Sequence, residues 1–330
     1  MADKFAAIAD LLSCPDDGAS LRHMSGAFRC THCERRFPIH EENLAEILPS
    51  RPLEFPASVN SGYREAYRQA FGQPYSFSET SSAWGAEETI AKSWARKRRR
   101  QVAFVQPLIA EGTTAKGGVL CDIAAGAGYY TLAYAHLFRL VLHCDLSVDN
   151  LNYVWRKARS LGLQNVFFLR IDYFAPPFQQ SLDRIICLDT LIRGEAHDSA
   201  LLAAISRSLK PAGCAVVDFH NWWHNPLRRL GFLPENFHNN RSYRRTEAEK
   251  LLRNAGIESF AFHPFVQEFS VNRAAGRWLS GAFPPTRLIY RIAALRQGAP
   301  LYAAIVKKCR GPQLRSNESH HGQQSDARPS

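Results

Sequence analysis

The sequence predicts an α/β fold: a doubly wound, seven-stranded, mostly parallel sheet preceded by a small cysteine-bearing module. Three observations carry this. From residue 119 onward, short apolar runs alternate with helical stretches, the pattern of βαβ units. The runs are apolar along their whole length rather than alternating, as in strands covered by helices on both faces. Cys14, Cys30 and Cys33 crowd near the start, while the other five of the eight cysteines are scattered.

The elements follow in order. Residues 1–12 read as a short helix, and 13–50 as the turn-rich cysteine module. Residues 51–115 are a connector with Tyr63, Tyr67, Phe71, Tyr75 and Phe77 near its start and a helix predicted over 87–108. The sheet occupies 116–310, with strands predicted at 119–123, 140–144, 166–171, 182–188, 215–219, 257–266 and 301–307. A helix over 247–254 closes at Gly256, a residue type suited to a C-cap. Residues 311–330 lack apolar side chains apart from Leu314 and are expected to be a disordered tail.

Composition bounds the function. With 45% hydrophobic and 22% charged residues, wholesale disorder, collagen and a plain coiled coil are excluded. No apolar run approaches the ~20 residues of a membrane helix. The start, Met1-Ala-Asp-Lys-Phe5, shows no basic stretch followed by an apolar one, so no secretory signal and a cytoplasmic location are expected. Cys121, Cys144, Cys187 and Cys214 sit inside apolar runs and read as small buried hydrophobes of a reducing compartment. The net charge of +11 favours anionic partners such as nucleic acid, phosphorylated substrates or an acidic lipid surface. The basic run at 96–100 would wrap around its helix, so a solvated face is expected there, with RNA contact as the second reading.

The first sheet strand runs into Asp122-Ile-Ala-Ala-Gly126-Ala-Gly128-Tyr-Tyr-Thr131. Gly126 and Gly128 allow a tight turn and close backbone approach to a ligand, and the helix behind them offers its first amides. Asp145 ends the second strand 19 residues after Gly126, where an acid can accept both hydrogen bonds of a ribose diol. The turn alone is ambiguous, because Thr131 replaces the third glycine or alanine of a dinucleotide fingerprint.

The order of later features resembles the class I S-adenosylmethionine-dependent methyltransferases, which have a Rossmann-like fold. The marks are Asp122 with its glycine loop, His143-Cys-Asp145, Leu169-Arg-Ile-Asp172-Tyr173, Leu182 to Asp189, and the turn Leu209-Lys-Pro-Ala-Gly213 before the fifth strand. The resemblance implies that Gly126 and Gly128 contact the methionine part of S-adenosylmethionine. It further implies that Asp122 binds the amino end or orients the loop, Asp145 holds the ribose, and Asp172 accepts from the adenine amino group with Tyr173 beside the ring. The family's first loop glycine is Ala124 here. An alanine is tolerated there if φ is negative, and weaker or reshaped binding rather than loss is expected.

The front module reads Cys14-Pro-Asp-Asp17 and Cys30-Thr-His-Cys33, two knuckles at zinc-ribbon spacing with Asp17 in the second ligand place. His23 and His32 are further candidates for the fourth ligand. Residues 8–50 resemble the small zinc-ribbon domain found ahead of some methyltransferases, through Cys14-Pro, Cys30-x-x-Cys33, Phe37-Pro-Ile-His and the stretch from Leu44 to Pro49. The resemblance implies zinc on Cys14, Asp17, Cys30 and Cys33.

Methyl transfer chiefly needs alignment, with a base only where the acceptor holds its proton tightly. Candidates for that base near the strand ends are Asp189, His197, Asp218 and His220, His197 being placed in a loop after the fourth strand. Residues 219–245 carry two tryptophans, three histidines and five arginines, suited to a lid or to an anionic acceptor. Three readings follow. The first is methyl transfer to a small-molecule or lipid/saccharide-linked acceptor. The second is methylation of RNA. The third is a non-catalytic scaffold keeping the fold. Oligomeric state is not legible.

Overall fold

The apolar runs become strands and the amphipathic stretches between them become helices, in a computed structural model describing residues 4–40, 44–83, 85–86, 88–90, 92–110, 117–191, 193–220, 243–265 and 301–307; side chains are described except at 92–94, 220, 264–265 and 301–307. The tail at 311–330 and most of the insertion, 221–242, lie outside the described residues.

The chain opens with a 3-10 helix, Lys4–Leu11, rather than an α-helix. The front module then contributes β1 (Leu21–Met24), β2 (Ala27–Cys30), β3 (Arg36–His40) and β4 (Leu44–Ile47). The connector holds α1 (Ser61–Gly72), whose first turn is capped by the Asn60 side chain accepting from the Tyr63 amide at 3.1 Å, and α2 (Lys92–Ala110). The remaining elements are β5 (Val119–Ile123), α3 (Tyr129–Tyr134), β6 (Leu140–Asp145), α4 (Val148–Ser160), β7 (Val166–Ile171), β8 (Leu182–Cys187), α5 (Glu195–Ser208), β9 (Leu209–His220), α6 (Arg245–Asn254), β10 (Ser259–Phe265) and β11 (Leu301–Lys307).

All seven expected sheet strands are present. The fifth is longer than expected, since β9 takes in the Lys210-Pro-Ala-Gly213 turn and pairs with β8 through a register shift between Leu182 and Arg184. The sheet order is β1-β2-β3-β4-β7-β6-β5-β8-β9-β11-β10. Strands β4 through β9 along this order are parallel, while β11 runs antiparallel to both β9 and β10. The chain winds from β5 outward to β7, then returns to place β8 on the other side of β5. Such a reversal opens a crevice at the carboxyl ends of the strands, where ligands of open α/β sheets bind.

The front module does not hang apart from this sheet. Its β4 pairs in parallel with β7, Leu44 opposite Phe168 and Ile47 opposite Ile171. Phe5 packs edge-on against both Phe28 and Phe167, with ring centroids 6.0 and 5.8 Å apart, so module and sheet share one apolar core. Arg170, fully buried on β7, ties the neighbours together. Its guanidinium pairs with Glu46 of β4 at 2.6 Å and donates to the Ala70 and Gln73 carbonyls at the end of α1, at 2.8 and 2.6 Å. Those carbonyls have no partner inside the helix, so the buried cation satisfies them and is itself satisfied.

Candidate functional site

The glycine loop joins β5 to α3 at the carboxyl edge. Gly128 stands at φ +71° as the N-cap of α3, and a Cβ there would sit 2.5 Å from Val154 Cγ1 on α4. Its glycine is therefore required by helix packing as well as by backbone conformation. Gly126, also at positive φ, has open space where a Cβ would lie and donates its amide to Asp145 Oδ2 at 2.7 Å. The condition set for Ala124 is not met: its φ is +54°, in the left-handed region. A non-glycine residue there costs roughly 1–2 kcal/mol, so the loop holds strain at this position.

Asp122 is buried beneath the loop, and its Oδ2 accepts from the Thr131 amide at 3.0 Å and the Thr131 hydroxyl at 2.7 Å. The same hydroxyl meets His143 Nδ1 at 2.9 Å. Burial pushes the Asp122 carboxyl up to about 7, against the two Thr131 bonds, and pulls His143 down to about 3. Thr131, which in the sequence only marked a departure from a fingerprint, is the residue that anchors the loop to the helix. A hydroxyl nine residues after an acid, on the first turn of the next helix, was the available signal.

Asp145 ends β6, with Oδ1 accepting from the Ser147 amide at 2.8 Å and Oδ2 from Gly126. Asp172 follows β7 and accepts from the Tyr67 hydroxyl at 2.6 Å and the Phe174 amide at 3.0 Å. Burial raises both carboxyls above the ordinary range. Each carboxylate oxygen offers about two acceptor positions, so both acids retain capacity for a ligand's hydroxyl or amino group. The residues fit a nucleoside on this count. Asp122 differs, since it is sealed under Thr131 and serves the loop. Tyr173 is hydrogen-bonded through its hydroxyl to Tyr63 of α1.

The candidate base His197 is not in a loop. It lies in the first turn of α5, fully buried, with Nδ1 donating to Asp198 at 2.6 Å and Nε2 meeting the Tyr63 hydroxyl at 3.0 Å. Asp198 also accepts from Tyr243 ahead of α6. Phe55 and Phe174 wall the imidazole in, with ring centroids 5.6 and 5.0 Å away. This chain of hydrogen bonds clamps α1, α5 and the segment before α6 together. The loop expectation failed because Gly194 starts the helix without a capping side chain. Asp189 lies just past β8, paired with Arg98 of α2, and its amide donates to Asp218 of β9 at 2.7 Å. His220 closes β9, and its side chain lies outside those described.

Within the basic run at 96–100, Arg96, Arg99 and Arg100 are exposed, while Lys97 and Arg98 turn inward. A cavity of about 370 Å³ touches the loop at Ala127 and Tyr129 and is otherwise lined by Arg99, Val102, Tyr153, Lys157 and neighbours. None of Asp122, Asp145, Asp172 and Asp189 lines it, so it is a groove among the helices and not the carboxyl-edge crevice.

In the front module, ligand atoms of Cys14, Asp17, Cys30 and Cys33 all lie within 4.8 Å of one another. Asp17 receives the Ala19 amide at 2.9 Å, which holds its carboxyl down at about 2, and Cys30 Sγ lies 3.4 Å from it. Three sulfurs and one carboxylate at this spacing suit a tetrahedral zinc ion. His23 stands outside the group, edge-on against Phe28.

The methyltransferase-domain family matches residues 120–213. No curated protein matches the chain. Solved structures of similar fold include the phosphoethanolamine N-methyltransferase 2 of Haemonchus contortus, at 17% identity and TM-score 0.44, over 63% of this chain and 52% of that one. The chain thus spans about half the length of that enzyme. The geranyl diphosphate C-methyltransferase of Streptomyces coelicolor aligns at 12% identity and TM-score 0.46, over 78% and 100% of the two chains. The magnesium protoporphyrin IX methyltransferase of Synechocystis aligns at 16% and 0.44, over 75% and 95%. The methyltransferase-domain match at residues 120–213 runs from β5 into the start of β9, and so takes in the glycine loop at the reversal of the sheet.

Proposed function

We propose that the protein transfers a methyl group from S-adenosylmethionine to a small-molecule acceptor, with the acceptor entering between the glycine loop and the ends of β8 and β9. The observation that carries this reading is the row of buried acids, Asp122, Asp145 and Asp172, at the carboxyl ends of β5, β6 and β7. The bound donor supplies an electrophilic methyl carbon on sulfur. The chain's own residues supply position. Asp122 and Thr131 fix the loop, the Gly126 amide and Asp145 are held against each other at the ribose place, and Asp172, steadied by Tyr67, stands at the adenine place. Of the candidate bases whose side chains are described, His197 is walled in and serves the clamp, which leaves Asp189 and Asp218 on the acceptor side.

Asp145→Ala is expected to weaken S-adenosylmethionine binding about 10- to 100-fold in calorimetry, the loss of roughly 1.5–3 kcal/mol of hydrogen bonding to a charged group. Unchanged affinity would place the ribose elsewhere. The front module is proposed to hold one zinc ion on Cys14, Asp17, Cys30 and Cys33. Elemental analysis of the purified protein should find about one zinc per chain, and a fully folded, zinc-free protein refutes the ligand set.

A further inference from the structure

The acceptor side of the crevice is built from five side chains that the methyl-donor site does not use. Asp189 and Asp218 stand at the ends of neighbouring parallel strands, joined through the Asp189 amide. Asp189 is at φ +59°, a conformation uncommon outside glycine but tolerated best by aspartate and asparagine, and held here by its neighbours. Arg98 reaches down from α2, its guanidinium on the Asp189 carboxylate and 3.2 Å from Gln101 Oε1. Lys97, its neighbour on α2, is half-buried and turns inward with it. Tyr130, at the start of α3, is only 6% exposed, and its hydroxyl has no hydrogen-bond partner among the described residues. Burial raises that phenol well above its usual range, and Arg98 lies 5.9 Å from the ring of its neighbour Tyr129, so α3 presents its first turn to the Arg98 side chain.

These parts differ in how they are held. The two carboxylates sit on rigid strand ends under the sheet's hydrogen bonds. The two cations ride on long side chains near the start of α2, a helix that lies along β8 and β9 with its first turns at the carboxyl edge. When an acceptor enters, the long side chains are the members able to leave, and what remains is a pair of carboxylates with a free phenol beside them. The place is at present taken by a nitrogen cation, the Arg98 guanidinium. We propose that Asp189, Asp218 and Tyr130 form the acceptor subsite of the methyl transfer proposed above, and that it takes a primary or secondary amine, with Arg98 as the group the amine displaces; this rests on that reading of the donor site.

The chemistry suits nitrogen. A neutral amine donates N–H to Asp189 while its lone pair points at the donor methyl. As the nitrogen's pair forms the new N–C bond, the C–S bond breaks and its pair returns to sulfur. The nitrogen carries a positive charge in that step, which two carboxylates stabilise more in the transition state than in the ground state. Its proton then passes to the Asp189 carboxylate and on to water. A carboxylate or phosphate acceptor would meet two like charges instead.

The test uses the full-length protein, methyl-labelled S-adenosylmethionine and two matched acceptor panels: ethanolamine, putrescine, spermidine and glucosamine against ethylene glycol, butanediol and glucose. Calorimetry with the donor alone runs beside it. The expected result is donor binding, label transferred to nitrogen in at least one amine, and none to the alcohols. Arg98→Ala should lower the amine KM at least threefold with kcat little changed, whereas Asp189→Asn should lower kcat at least 100-fold with donor affinity kept. Label on oxygen or carbon, donor binding with no amine methylated, or Asp189→Asn leaving kcat intact each overturns the subsite. Absence of donor binding overturns the underlying reading instead.

Discussion

The two halves of the carboxyl edge are built differently. On the proposed donor half, each acid accepts from a main-chain amide within nine residues, Thr131 for Asp122, Ser147 for Asp145 and Phe174 for Asp172, and only Asp172 adds a distant side chain, the Tyr67 hydroxyl. On the acceptor half, Asp189 is held by Arg98, 91 residues earlier, on a helix from outside the sheet. Local partners make a rigid and repeatable cradle. Distant side-chain partners make a place that can be remodelled. A donor common to many reactions calls for the first kind, and an acceptor that varies from enzyme to enzyme calls for the second.

The difference can be broken most severely at Gly128. Gly128→Ala forces a methyl into Val154 at positive φ, and is expected to destabilise the protein by about 3 kcal/mol and to abolish donor binding. Urea unfolding checks the first and calorimetry the second. Val154→Ala in the same chain should restore part of the stability, and no restoration would mean that backbone strain alone is responsible.

A subtler probe is the buried pair under the loop. Between pH ~4 and ~6.5 the unfolded chain carries one proton on His143 and none on Asp122, while the folded chain carries it on Asp122 and none on His143. The proton counts match, so the pair adds almost no pH dependence. His143→Gln removes the imidazole and leaves a carboxyl that binds more protons folded than unfolded. Stability of the variant should then fall by about 1.4 kcal/mol per pH unit between pH ~4 and ~6.5, where the parent stays nearly level. A flat profile for the variant over this range would mean that the proton does not reside on Asp122, and parallel profiles that His143 keeps its proton in the folded chain.

The smallest effect sharpens the donor half. Ala124→Gly relieves a left-handed alanine and is expected to add about 1 kcal/mol of stability, less the added freedom of the unfolded chain, and to tighten donor binding. A loss of stability in thermal unfolding would show that the loop is content with its methyl.

The same division explains what the sequence revealed. Apolar runs ending in Asp122, Asp145 and Asp172, and glycines at 126 and 128, announce themselves because each feature lies within a few residues of its own structural cause. The seven strands were legible for the same reason. What stayed hidden was long-range. Tyr63 and Tyr67 gave only an aromatic-rich connector, with nothing to say that they would close over Tyr173 and Asp172, over a hundred residues away. The run at 96–100 was read as a solvated face, because a helix shows all its sides to solvent until something packs against one of them. Here Lys97 and Arg98 found the crevice. His197 was misplaced because neither its burial nor its partners, Asp198 apart, are written nearby.

The parallel pairing of β4 with β7 carries a further consequence. Without the first fifty residues, β7 would become a naked rim of the sheet, offering unpaired amides and carbonyls along Val166-Phe-Phe-Leu-Arg-Ile171. That hexamer is rich in β-forming side chains, and its one charge, Arg170, would have lost Glu46. Such a rim is a template for joining chains side by side. The cysteine module therefore acts as a selvedge, finishing the woven border so that it neither frays nor catches on the next molecule.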